Sequence, residues 1–308
     1  MQTSTLGRTG MVVSRLGVGL AEIGEELTME DIDQAGRVLN MALDGGINFL
    51  DTASSYFISE ELIGRTVANR RDEFFLATKC GRFPGGTSDE LWTAEKIEET
   101  IERSLTRMKT DHVDLVQLHS CGVDVLRRGE AAEALLAAMR AGKTRFIGYS
   151  GDNEAAVCAV ESGVFDTLQT SFSLVDQQAR KRLFGQARAR GMGIIVKRPI
   201  ANGAWGVDRS PSEGLNYNPH YADEYFRRSQ LMAEMGPLPG APDDRILLAL
   251  GFVLAHPEVD TAILGTRDPG HMAANIEMAE NRLPISGEAV EELRRRFDEL
   301  GSEWPQLL

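Results

Sequence analysis

Eight short apolar runs, each followed by a stretch with helical spacing, leave this chain few folds to choose from. They cover residues 16–20, 47–51, 73–79, 112–119, 145–150, 167–172, 193–197 and 261–266. A strand that is apolar along nearly its whole length is buried on both faces, which implies a parallel sheet with helices packed outside it. Eight such strand–helix units close into a (β/α)8 TIM barrel, with working residues expected at the C-terminal strand ends. The 308 residues suit one barrel domain spanning 1–308. Ahead of it, residues 3–13 hold two short runs around Leu6-Gly7-Arg8-Thr9-Gly10, which predicts an N-terminal β-hairpin. Single helices are expected after the fourth strand, ending near Ala141-Gly142, and over Gln178 to Arg190. Only the connection after the seventh strand is long, at about 201–242. Its aromatics Trp205, Tyr217, Tyr221, Tyr225 and Phe226 predict a lid or pocket wall, with helical spacing near 223–235.

Charge narrows the partners. A formal charge of −13 opposes nucleic acid or an anionic membrane surface, both of which need a basic face. Cys80, Cys121 and Cys158 form no CxxC pair and suggest a reducing compartment. Cys80 and Cys121 stand beside Lys79 and near His119, but free cysteines are usually small buried hydrophobes. The N-terminus lacks a signal-peptide pattern and no apolar stretch approaches ~20 residues, so a cytoplasmic location is expected. The five histidines are dispersed, with no HxH pair, and no metal site is expected.

The polar residues that end the strands carry the chemistry. The second strand runs into Asp51 and then Tyr56, the third ends at Lys79, and the fourth at His119. Taken singly, each has an ordinary structural reading: a turn cap, a packed ring, a surface ion pair, a core histidine. Together at successive strand ends they form a coherent set. A tyrosine with its usual pKa near ~10 transfers protons poorly at neutral pH. An adjacent ammonium favours the phenolate and lowers that value. Asp51 would keep Lys79 charged, and His119 would orient a substrate oxygen. The set suits protonation of a carbonyl oxygen as hydride reaches carbon. No side chain supplies hydride, so a nicotinamide cofactor is required, and the absence of a G-x-G-x-x-G fingerprint means it is held in a non-Rossmann way.

With Leu6-Gly7-Arg8-Thr9-Gly10, Phe49-Leu50-Asp51-Thr52-Ala53 plus Tyr56, Ser59-Glu60-Glu61-Leu62-Ile63-Gly64, Thr78-Lys79, Gln117-Leu118-His119, Ile147-Gly148-Tyr149-Ser150 and Leu264-Gly265-Thr266-Arg267 plus Asn275, the chain resembles the aldo-keto reductases along essentially its whole length. The resemblance implies NADPH-dependent reduction of aldehydes and ketones, with Asp51, Tyr56, Lys79 and His119 as the catalytic tetrad and Tyr56 as proton donor. It implies that Ser150 and Gln169 hold the nicotinamide carboxamide. Gly151 stands where many members have Asn, and Asp152 or Asn153 would compensate. Lys197-Arg198-Pro199 replaces a tyrosine that stacks on the nicotinamide in many members, so either the Lys197 stem would cover the ring or the basic pair would meet a second phosphate or a substrate carboxylate. Gly265, Thr266, Arg267, His271 and Asn275 match positions around the adenosine end. Arg267 would favour a 2′-phosphate, hence NADPH over NADH, since a guanidinium binds phosphate bidentately.

Two other classes compete. A Schiff-base aldolase would use Lys79 or Lys197, but needs a desolvated neutral amine, which Asp51 opposes at Lys79. A non-catalytic or very slow sensor of the nicotinamide cofactor, like channel-associated subunits of this fold, would keep the cofactor site without useful turnover. Phe57, Phe83, Trp92 and the loop aromatics predict an apolar wall for a small-molecule carbonyl substrate.

Overall fold

Each apolar run becomes a strand because its residues alternate between two cores. The computed structural model describes residues 1–84, 88–212 and 220–307; Tyr217 lies outside them. A two-stranded antiparallel hairpin, β1 (Thr3–Thr5) and β2 (Val12–Ser14), comes first. The barrel strands are β3 (Leu16–Gly19), β4 (Phe49–Asp51), β5 (Phe75–Cys80), β6 (Val113–His119), β7 (Thr144–Ser150), β8 (Thr167–Ser171), β9 (Gly193–Lys197) and β10 (Thr261–Leu264). They pair in parallel in chain order, and β10 returns to β3 to close the barrel. Phe49, Ala77, Leu115, Ile195 and Ile263 point inward, while Leu50, Leu76, Val116, Ile194 and Ala262 point outward under the helices. That is the period-two alternation of a strand covered on both sides.

The hairpin plugs the N-terminal end of the barrel. Its Leu6, Met11 and Val13 are buried against the inward residues. Gly7, at φ 49°, lies so close to β9 that a Cβ there would stand 2.1 Å from the Gly193 nitrogen. The Arg8 backbone N–H donates to Gly191 O at 2.7 Å. An apolar plug below leaves the polar residues to gather at the opposite mouth.

The helices run α1 (Ala21–Glu26), α2 (Ile32–Asp44), α3 (Ser59–Thr66), α4 (Ala94–Met108), α5 (Val123–Arg128), α6 (Glu130–Arg140), α7 (Asn153–Ser162), α8 (Gln178–Lys181), α9 (Leu183–Ala189), α10 (His220–Ala233), α11 (Arg245–Leu254), α12 (Pro269–Asn281) and α13 (Gly287–Leu300). α4 starts where Thr93 accepts from the Lys96 N–H, and buries Ile97, Ile101, Leu105 and Met108 as its spacing predicts. Two expected helices are broken. Gly129, at φ 76°, separates α5 from α6, and Arg182, at φ −144° and ψ −46°, separates α8 from α9. None of the described helices is long and apolar enough to cross a membrane.

Candidate active site

The four strand-end residues meet around one buried ammonium. Lys79 and Asp51 are each 1% exposed and form a direct ion pair through Asp51 Oδ2. Lys79 also donates to Thr52 O at 3.0 Å and faces Tyr56 Oη at 3.5 Å. Asp51 Oδ1 accepts from Gln117 Nε2 at 3.1 Å and from Gln169 Nε2 at 2.8 Å. The carboxylate is therefore fully engaged, as a buried charge must be. Burial pulls the Lys79 amine down, but Asp51 and Tyr56 outweigh it and hold the ammonium above its ordinary value.

Tyr56 meets the His119 ring edge-on, with centroids 5.6 Å apart. Burial pushes the phenol up, and the opposing pull of Lys79 does not reverse it. The expectation that Lys79 leaves this phenol with a lowered pKa is thus corrected, because loss of solvent acts more strongly than the neighbouring cation. His119 is held well below its ordinary value by burial, then by Lys79, Arg82, Lys197 and Arg198. Its Nδ1 lies 3.2 Å from Ser55 Oγ.

A polar chain extends this cluster along the barrel floor. Ser150 Oγ donates to Gln169 Oε1 at 2.8 Å, and Gln169 in turn reaches Asp51. Gln117, inside a quoted motif but given no role from sequence, belongs to the same chain; its Oε1 is buried without a partner among the described residues. Gly151 has a local cause. A Cβ there would lie 2.5 Å from Tyr149 Oη, and Tyr149 is anchored by donating to Cys121 O at 2.7 Å. Asparagine has no room at that position.

Of the two expected substitutes, Asp152 reaches the cavity and Asn153 does not line it. Asp152 is paired with Lys197 at 2.8 Å and accepts from Ser171 N and Thr170 Oγ1. Asn153, at φ 55°, is tied instead to the tail residue Gln306 in both directions. Arg198, at φ 57°, donates to Leu307 O at 2.6 Å and lies 4.0 Å from the Tyr221 ring centroid. The role of the tail had no signal in sequence spacing, since it joins the site only through the fold.

One cavity of about 950 Å³ opens over these groups. Asp51, Tyr56, His119, Ser150, Gln169, Lys197, Arg198 and Gly265 line it. Thr266, Arg267, His271 and Asn275 do not; they lie beyond Gly265, at the end of β10 and on α12. Arg267 is ion-paired with Glu26 at 2.8 Å. Asp268 caps α12 by accepting from Gly270 N and His271 N. Phe57, Phe83 and Tyr221 line the cavity as expected, whereas Trp92 and Tyr225 are core residues, 4% and 0% exposed. The long connection is therefore less of an aromatic wall than its composition predicts. Cys80 and Cys121 are buried, with the Cys121 thiol pushed up to about 12, which leaves neither as a nucleophile. Among the described residues no three His, Cys, Asp or Glu side chains gather as a metal site.

A (β/α)8 barrel that gathers an acid, a lysine, a tyrosine and a histidine at its C-terminal mouth has the layout of a barrel enzyme. The model of the aldo/keto reductase family matches residues 15–295, and the chain belongs to that family. It is 28% identical to the oxidoreductase YqkF of Bacillus subtilis, with 92% of each chain covered. It is 27% identical to the L-galactose dehydrogenase of Arabidopsis thaliana, over 90% of this chain and 87% of that one. Among solved structures, the holo form of an aldo-keto reductase from Bacillus halodurans matches with a TM-score of 0.79 and 28% identity, covering 96% of both chains.

Proposed function

We propose that the protein, as one domain over residues 1–308, reduces aldehyde or ketone carbonyls to alcohols with NADPH, and that Tyr56 is the proton donor. The observation that carries this reading is Tyr56 set between the Lys79–Asp51 pair and His119 on the cavity wall. The cofactor, when bound, supplies the hydride. The residues present fit it. The cavity has bare backbone at Gly19 and Gly265, a polar floor at Ser150 and Gln169, and a volume within the range of cofactor sites. Ser150 and Gln169 would hold the carboxamide, Lys197 and Arg198 would flank the nicotinamide, and Gly265, Thr266, Arg267, His271 and Asn275 would serve the adenosine end.

The raised phenol pKa suits a donor, since Tyr56 stays protonated at neutral pH until the substrate oxygen becomes basic. Lys79 then stabilises the phenolate left behind. His119 is neutral. In the tautomer whose Nδ1 accepts from the Ser55 hydroxyl, the one N–H lies on Nε2 and can hold the carbonyl oxygen. An imine at Lys79 is disfavoured because Asp51 keeps that amine protonated.

Fluorescence titration with NADPH and NADH, followed by cofactor oxidation over a carbonyl panel, tests the proposal. Tighter NADPH binding with turnover supports it. Binding without turnover on any carbonyl favours the sensor reading, and binding of neither nucleotide overturns both.

A further inference from the structure

Arg82 lines the same cavity and has no part in the scheme above. It follows β5, three strands round the barrel from β10, and so stands apart from the residues assigned to the adenosine end. Its place is well defined. Ser54 Oγ donates to Arg82 O at 3.0 Å. The preceding Gly81, at φ 85°, packs so tightly on Trp92 that a Cβ would lie 2.0 Å from the indole. Yet the guanidinium makes no hydrogen bond or ion pair among the described residues.

The surrounding charges point the same way. The four charges that act most strongly on His119 are all cations: Lys79, Arg82, Lys197 and Arg198. Two are neutralised locally, Lys79 by Asp51 and Lys197 by Asp152. Arg198 is met by Leu307 O and Ser171 Oγ, with no carboxylate in an ion pair among the described residues. The carbonyl end of the cavity therefore carries excess positive charge inside a protein of net charge −13. The carboxylates Glu22 and Glu25 line the β3 side, and Glu25 is pushed up to about 7 by burial and by Glu26, so its opposition is partial.

We infer that the carbonyl substrate carries an anionic group, a carboxylate or a phosphate, and that Arg82 is the residue that takes it. A guanidinium fork matches either group bidentately. This rests on the reductase reading of the same cavity.

The test compares kcat/KM with NADPH for two matched pairs: 4-carboxybenzaldehyde against its methyl ester, and glyceraldehyde 3-phosphate against glyceraldehyde. A charge-assisted contact predicts that the anionic member of at least one pair is preferred by roughly tenfold or more. The first pair reports a carboxylate site and the second a phosphate site. In Arg82→Met the ratio within the preferred pair falls toward one, whatever common factor both rates lose. In the wild type, added salt shrinks the same ratio, which keeps the test decisive even where the variant does not fold. Neutral members turned over as fast as anionic ones, or a preference that survives Arg82→Met or high salt, overturns the inference while leaving the reductase reading intact. Absence of turnover on all four compounds removes both.

Discussion

Separating what the Lys79–Asp51 pair does for the fold from what it does for chemistry needs a double-mutant cycle. Both side chains are 1% exposed. Lys79→Met leaves the Asp51 carboxylate buried with only Gln117 and Gln169 as donors. Asp51→Asn leaves the Lys79 ammonium with only Thr52 O and Tyr56 Oη. Breaking a buried pair from one side costs about 3–5 kcal/mol, because the partner keeps its desolvation without its counter-charge. For a chain of this size that corresponds to a fall in Tm of roughly 5–15 °C for either single variant. The double variant Asp51→Asn/Lys79→Met removes both charges, and the amide that replaces the carboxylate still offers an oxygen to Gln117 and Gln169. It should recover all but about 1–2 kcal/mol, giving a coupling energy of several kcal/mol. Thermal and urea unfolding of the four proteins measure this, alongside turnover. Stability should return in the double variant while turnover does not, since nothing remains to stabilise the Tyr56 phenolate. Additive single effects would refute the reasoning, as would a double variant that is again active.

Three further outcomes follow from local geometry. Gly151→Asn should destabilise the protein by roughly 1–3 kcal/mol through overpacking against Tyr149, measured by urea unfolding; a neutral effect would mean that Tyr149 moves freely. Asp176 is fully buried and its carboxyl is pushed from 3.8 up to about 7 by burial and by Asp152. Its contribution to stability is fully present below about pH 4 and is lost as pH rises toward 7, so Asp176→Asn should gain roughly 2–3 kcal/mol on wild type between about pH 5 and pH 8. A pH-independent difference in unfolding free energy would contradict that. His119, held well below its ordinary value, should give kcat/KM for carbonyl reduction no inflection near about pH 6.5, where an ordinary imidazole titrates. An inflection there that vanishes in His119→Gln would show that the imidazole titrates.

The barrel was legible because the strands are buried on both faces and so appear as largely apolar runs, from Val113–His119 to Thr261–Leu264. The convergence of Asp51, Tyr56, Lys79 and His119 followed from the same fact, since parallel strands share one C-terminal mouth. What spacing could not supply was anything made by folding at long range. Gln306 reaches Asp152, Thr170 and Ser171 from the far end of the chain. Tyr149 fills the space that makes Gly151 necessary, a contact between near neighbours whose cause is a ring orientation. The sign of the Tyr56 shift depended on a balance between burial and Lys79, and burial is a property of the whole cavity. The breaks at Gly129 and Arg182 show the limit of helical periodicity, which continues across a turn that the backbone does not.

The most direct test of the central claim is Tyr56→Phe, assayed by NADPH oxidation on a carbonyl that the wild type reduces, with nucleotide affinity measured by fluorescence in parallel. Removing one hydroxyl from a proton donor should lower kcat by roughly 10²–10⁴, with the NADPH dissociation constant within a few-fold of wild type. A Tyr56→Phe protein that binds NADPH normally and keeps its kcat would contradict the assignment of Tyr56 as proton donor.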